Sequence, residues 1–214
     1  MNTKELKKIL KKIWYFIWES NSIWSWIVNI ILAFVIIKFL VYPGLGLVLG
    51  TSHPVVAVVS SSMEHDSDFD RWWNSFPAAC NGRVCAQGEY YSDYFNITKE
   101  QFLEFKFKNG FDKGDIIILI GNSPEEINVG DVIVFRNKKP DPIIHRIIKK
   151  WEEDGIYYFQ TKGDHNSKSV ESLLLDETKI SEDKIIGRAV FRIPYLGWIK
   201  IGFAEILKII GVLK

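Results

Sequence analysis

The 214 residues are 47% hydrophobic and carry 27 basic and 26 acidic side chains. That length and apolar content accommodate one membrane segment and one ordinary globular core. Near-balanced charge excludes the basic excess that nucleic acid selects and the acidic run typical of a disordered tail.

In chain order, residues 1–22 form a basic stretch in which Lys4, Lys7, Lys8, Lys11 and Lys12 outnumber Glu5 and Glu19. Residues 23–42 are almost wholly apolar, interrupted by Ser25, Asn29 and Lys38. Twenty helical residues span roughly 30 Å, the thickness of a bilayer's hydrocarbon core. A cleavable signal has a shorter apolar core and a small-residue cleavage site, so this segment is expected to be a retained transmembrane anchor. The lysines predict a cytoplasmic N-terminus, a single pass through the cell membrane, and an outer-face location for everything beyond Tyr42. Trp14, Trp18, Trp24 and Trp26 suit an interfacial aromatic belt, and Lys38 can reach toward headgroups. Pro43-Gly44-Leu45-Gly46 is expected to end the helix.

The ectodomain is expected over residues 50–197. Pro54 to Val59 is a β-branched run that reads as a buried strand delivering Ser60, Ser61 and Ser62 to its end. Residues 64–110 are rich in aromatic and turn residues, and Thr98 with Gln101 predicts a capping box for a short helix. Cys80 and Cys85 bracket Asn81-Gly82, a turn pair, and are expected to form a local disulfide on the outer face. Asn96-Ile97-Thr98 is a glycosylation sequon. Strands are predicted at Ile116–Ile120 and Val132–Phe135, each after a Gly-Asp turn. Two more, Ile143–Ile148 and Ile156–Gln160, flank Asp154-Gly155, and a last one runs from Ile185 to Ile193. Residues 198–214 read as an amphipathic helix, interfacial or packed on the core. The fold class expected is mostly β: one domain on a single N-terminal transmembrane helix, with an inserted subdomain and a C-terminal helix.

Chemistry-bearing residues fall in three separated segments. Ile143, His145 and Ile147 share one face of a strand by period two, while Arg146 points the other way. An imidazole titrates near neutrality, so His145 is a candidate general base. The serines at 60–62 supply a hydroxyl, which needs such a base to become a nucleophile. Composition alone does not rank them, although alternation puts Ser60 and Ser62 on one side. Asp164, in Thr161-Lys162-Gly163-Asp164-His165-Asn166, is either a turn-stabilising aspartate or the group that orients the base. His53, His65 and His165 have no metal-site spacing and read as loop residues; neither a metal nor an organic cofactor is expected.

Together these segments resemble the type I signal peptidases of the archaeal and endoplasmic-reticulum branch. The resemblance rests on the Ser-x-Ser-Met box at Ser60–Met63 and on Gly130-Asp131 before an apolar strand. It rests also on His145-Arg146 within a strand and on Gly163-Asp164-His165-Asn166. It covers the anchor and roughly residues 54–64 and 111–201. It implies a signal-peptidase-like β domain acting as a membrane-bound serine endopeptidase that removes signal peptides from secretory preproteins. Ser62 would be the nucleophile, His145 the base, Asp164 the orienting acid and Ser60 an oxyanion-hole hydroxyl. The implied partners are preproteins at the secretion channel, the lipid bilayer and accessory subunits. Two features depart from the pattern. Residues 64–110 are inserted, and the aspartate usual six positions beyond Asp164 is Val170, for which Glu171 or Asp176 could substitute. A rival expectation is a non-catalytic assembly module whose insert aromatics Trp72, Trp73, Phe76, Tyr90, Tyr91 and Tyr94 bind a partner. A serine-lysine peptidase using Lys138, Lys139 or Lys149 is a third.

Overall fold

The structure, a computed structural model, describes residues 2–209. The chain divides into two compact units, residues 1–48 and 49–214.

The first unit is helical. Helix α1 (Thr3–Trp18) begins at Asn2, whose side chain accepts from the Lys4 N–H at 3.3 Å. After a short turn, Ser22 caps α2 (Ile23–Ile36) in the same way. The two polar interruptions near the start of α2 have a partner in α1. The Ser25 hydroxyl donates to the Phe16 carbonyl, and Asn29 Nδ2 donates to the Ile17 carbonyl at 2.8 Å. They satisfy last-turn carbonyls that no residue of α1 itself can reach.

Beyond Ile36 the helix does not stop. A π-helical turn at Ile37–Val41 leads into α3 (Tyr42–Leu49), and the whole run Ile23–Leu49, 27 residues, is long and apolar enough to cross a membrane. The expected break at Pro43–Gly46 is therefore absent. Proline lacks an N–H and its ring meets the carbonyl four residues back, but the widened turn just before Pro43, where the Tyr42 N–H bonds the Ile37 carbonyl, relieves both conflicts.

The second unit is built on an antiparallel sheet. Strand β1 (Val55–Ala57) is shorter than the sequence run suggests. The insert follows with α4 (Phe69–Ser75), the hairpin β2 (Pro77–Cys80) and β3 (Arg83–Ala86), α5 (Gln87–Phe95) and α6 (Lys99–Glu104). Then come β4 (Ile116–Ile120), β5 (Val132–Phe135), β6 (Ile143–Glu153), β7 (Ile156–Lys162), β8 (Ile180–Ser181), β9 (Ile185–Ile193) and α7 (Trp198–Ile209). The seven strands outside the insert form one sheet in the order β1-β4-β9-β5-β6-β7-β8. Asp154-Gly155 closes the β6–β7 hairpin with both residues at positive φ, as a two-residue turn requires. Register shifts in the β4–β9, β5–β9 and β6–β7 pairings curl the sheet into a half-barrel. The fold is thus mostly β, with the inserted subdomain and a helix near the C-terminus.

The insert has its own core of Trp72, Trp73, Tyr91 and Phe102, packed against Ile148 of β6. Cys80 and Cys85 are disulfide-bonded across the β2–β3 turn. The capping box on α6 is present, and exposed Asn96 ends α5 in the left-handed conformation. Trp72 and Tyr91 are fully buried, so the aromatics expected of a binding surface are mostly interior; Tyr94 is the exposed exception. Helix α7 is fastened by Gly197, whose N–H donates to the Gly114 carbonyl at 2.7 Å, and by Trp198, whose ring covers Gly114. Residues 210–214 of the expected C-terminal helix lie outside the described residues.

Candidate active site

Strand alternation divides β6 into two chemical faces. Arg146 is paired with Lys162 and Ile147 with Thr161, and directly opposed residues project to the same side. Arg146 and Lys162 therefore face the insert, whereas His145, Ile147 and Thr161 face away from it.

On the insert side, Arg146 is wholly buried and grips Asp164 through Nε at 2.9 Å and Nη2 at 2.6 Å. Its Nη1 also donates to the carbonyls of Lys106 and Gly130, and its guanidinium lies 4.7 Å from the Phe102 ring centre. Asp164 takes two further contacts, from Tyr91 Oη at 3.3 Å and His65 Nε2 at 3.2 Å. Burial alone would raise the Asp164 carboxyl, but the Arg146 charge, with hydrogen bonds from His65 and Arg146, holds it well below the usual carboxylate range. His65, expected to be a loop residue, is stacked on Trp72 at 3.8 Å between ring centres and has a nearly inaccessible side chain. Lys162 donates to Gln87 Oε1 at 2.8 Å and to the Gly163 carbonyl at 3.1 Å. Burial lowers its ammonium to about 7, with only partial compensation from Asp164 and Glu177. Lys138, Lys139 and Lys149, the lysines weighed as bases, are exposed.

The other face carries a histidine hydrogen-bonded to a carboxylate. His145, 3% exposed, is joined through Nδ1 to Oε1 of the fully buried Glu177. Thr161 Oγ1 donates to the same oxygen at 2.9 Å, and the Val170 N–H donates to Oε2 at 2.8 Å. Asp164, expected to hold the His145 ring, is thus engaged with Arg146, and no hydrogen bond joins it to His145 among the described residues. Glu171 and Asp176 do not fill the place either. They bridge to each other across a small hairpin, and Asp176 Oδ1 accepts from Thr178. The residue at the family's aspartate position, Val170, meets Glu177 only through its backbone, its N–H donating to Oε2 and its carbonyl accepting from the Glu177 N–H at 2.8 Å. Sequence reasoning missed Glu177, which stands next to one of the acids it weighed.

The serine segment meets this face through the Gly163 loop. The His165 N–H donates to the Ser62 carbonyl at 2.9 Å, and the Asp164 N–H contacts Met63 Sδ at 3.4 Å. Met63 is fully buried and fills the core beneath the serines. A methyl group on Gly163 would stand 2.5 Å from the Ser62 carbonyl oxygen and 2.8 Å from His145 Nε2. The Ser62 backbone and the free nitrogen of the imidazole therefore flank one residue without a side chain. The Ser62 hydroxyl is 3.2 Å from that of Ser60. His53 pairs with Ser52, and the His165 ring packs on Phe76. No group of residues able to hold a metal occurs among the described residues.

No protein-family model matches the chain. It is similar to the signal peptidase complex catalytic subunit SEC11C of Homo sapiens and of Mus musculus, with 36% identity over 94 residues, 42% of this chain and 49% of each relative. It is also similar to the signal peptidase complex catalytic subunit SEC11 of Pyricularia oryzae, with 34% identity over 98 residues, 44% of this chain and 57% of the relative. The chain spans about half the length of the curated relatives it matches. These homologues agree with the motif resemblance to the endoplasmic-reticulum branch of type I signal peptidases.

Proposed function

We propose that this chain is a membrane-anchored serine endopeptidase that removes signal peptides from secretory preproteins. The observation that carries the reading is the convergence of Ser62, Gly163 and a histidine whose far nitrogen is held by a buried carboxylate. In this mechanism His145 Nε2 takes the Ser62 proton as Oγ attacks the scissile carbonyl, and later returns it to the leaving amine. Glu177, rather than Asp164, keeps the proton on Nδ1 and stabilises the imidazolium. The Ser62 N–H and the Ser60 hydroxyl would donate to the developing oxyanion; such a donor is typically worth about 2.7–4 kcal/mol. Water then hydrolyses the acyl-enzyme by the same route.

The helix Ile23–Leu49 would anchor the enzyme in the cell membrane, its N-terminus cytoplasmic and its β unit on the outer face. Anchoring would confine the site near preproteins emerging from the secretion channel and raise their effective concentration. Because the relatives are named as catalytic subunits of a complex, accessory subunits are proposed partners. The assembly-module alternative is not favoured, since the insert's aromatics form a core. The decisive experiment incubates the detergent-solubilised full chain and its Ser62→Ala variant with a model preprotein carrying small residues at the first and third positions before the cut. Cleavage by the parent and its loss in the variant are expected. Full cleavage by Ser62→Ala sinks the assignment.

A further inference from the structure

Helix α1 has two chemically distinct faces that the peptidase reading leaves unused. Advancing 100° per residue, its sequence separates into two faces. Leu6, Ile9, Leu10, Ile13 and Ile17 line one, and Lys4, Lys7, Lys8, Lys11 and Lys12 line the other. From Leu6 to Ile13 the apolar face is not covered by protein: Leu6 is 41% and Leu10 55% exposed, no residue of α1 is buried, and Ile17, at the end of the face, is partly covered. The lysine face is also unbalanced. Lys4 and Lys8, Lys7 and Lys11, and Lys8 and Lys12 are four residues apart, like-charged neighbours that oppose helix formation. Glu5 is the only acid in the helix, and no ion pair involving these lysines occurs among the described residues.

The position of α1 identifies what supplies both missing surfaces. Only Glu19–Ser22 separates it from a helix long enough to span a bilayer. The Ser25 and Asn29 side chains, in the first two turns of that helix, hold the Phe16 and Ile17 carbonyls, and Ser25 is fully buried. The end of α1 is therefore fixed at the level where the apolar span begins, and the helix has no slack to move far into water. Trp14, at the edge between the faces, lies 5.7 Å from Trp18, and both are residues of the kind that seat at headgroup depth.

We propose that α1 lies in the plane of the leaflet at which the span starts, with Leu6, Ile9, Leu10 and Ile13 among the acyl chains and its lysines on anionic headgroups. The partner is a lipid surface selected by charge. Each lysine near such a surface contributes roughly a fivefold gain in partitioning. Anionic lipid supplies the counter-charge that the helix lacks and should order it. This goes beyond the peptidase reading and is independent of it.

The test uses the full chain in nanodiscs, one chain per disc, of phosphatidylcholine with or without phosphatidylglycerol. Single cysteines from position 6 to position 13 carry a nitroxide, the Cys80–Cys85 pair being already bonded. Accessibility to oxygen and to a water-soluble nickel chelate is read at each position. Expected in anionic discs is a 3.6-residue alternation, with positions 6, 9, 10 and 13 oxygen-rich and positions 7, 8 and 11 nickel-rich. The contrast should fall severalfold without phosphatidylglycerol, and equally when the five lysines are replaced by glutamine. Uniform nickel access in anionic discs would overturn the proposal, as would equal alternation in both lipids. Protection that arises only when two chains share a disc would assign the face to a second copy and also overturn it.

Discussion

Glu177→Gln is the substitution that separates the two acids, because the donors around the carboxylate dictate how an amide must sit. The Val170 N–H is fixed in the backbone and points at Oε2. An amide nitrogen there would face a donor, so the glutamine must place its carbonyl toward Val170 and its NH2 toward His145. The Thr161 hydroxyl can rotate to accept, but His145 Nδ1 must then become an acceptor. The proton moves to Nε2, the nitrogen that the proposed mechanism needs to take one from Ser62. A wrong tautomer of this kind costs about 10³–10⁴ in kcat, or roughly 4–5.5 kcal/mol. Asp164→Asn perturbs the other face. It leaves the buried Arg146 guanidinium without its counter-charge and should cost about 3–5 kcal/mol of stability, while folded molecules retain most of their turnover. Single-turnover preprotein cleavage with excess enzyme, normalised to the folded fraction from near-ultraviolet circular dichroism, reads both effects. Near-parental turnover in Glu177→Gln, or a well-folded but inactive Asp164→Asn, would refute the reasoning.

Gly163→Ala should fold yet lose at least about 10²-fold in turnover, because its methyl group pushes apart the Ser62 carbonyl and His145 Nε2, and misplacement of about 1 Å costs that much; full activity would contradict the close approach. Lys162 titrates near 7 when folded and near 10.4 when unfolded, so between those values the unfolded chain holds the extra proton and stability rises with pH. Denaturant titrations from pH 7 to 10 should show a gain on the order of 3 kcal/mol in the parent relative to Lys162→Met, and parallel curves would refute it. Replacing Cys80 and Cys85 together by serine should cost about 2 kcal/mol for so short a loop, measured as a lower denaturant midpoint of the β unit's signal, and an unchanged midpoint would show that the insert's aromatic core suffices alone.

Several elements were legible because their causes are local. Asp154-Gly155 demanded a tight hairpin, Thr98 with Gln101 specified a helix start, and the β-branched run Ile185–Ile193 became a strand over those same residues. Non-local effects were not legible. The continuation past Pro43 depends on a π turn that no residue type announces. The depth of the insert's aromatics depends on how tightly α4, α5 and α6 close on one another. Glu177 reaches His145 because the chain makes a small hairpin after Val170, stitched by the Glu177 N–H to the Val170 carbonyl and by the Glu171–Asp176 bridge. Counting positions from Gly163-Asp164 leads to Val170, and the carboxylate returns there only after the excursion.

The sequence did contain one constraint against Asp164 as the orienting acid. His145 and Arg146 are adjacent in a strand and must occupy opposite faces. A buried arginine is costly unless a carboxylate meets it, and Asp164 meets it in full. Once Asp164 is committed to the Arg146 face, the histidine needs another acid, and the motif divides its labour: its glycine gives room between Ser62 and His145, while its aspartate secures the insert. Register is what keeps the faces apart. A slip of one residue in β6 would bring Arg146 to the position of the proposed base, and a guanidinium that stays protonated far above neutral pH cannot accept a serine's proton. The cross-strand pairs Ile133 with His145 and Arg146 with Lys162, reinforced by the buried His145–Glu177 hydrogen bond on one side and the Arg146–Asp164 ion pair on the other, set that register.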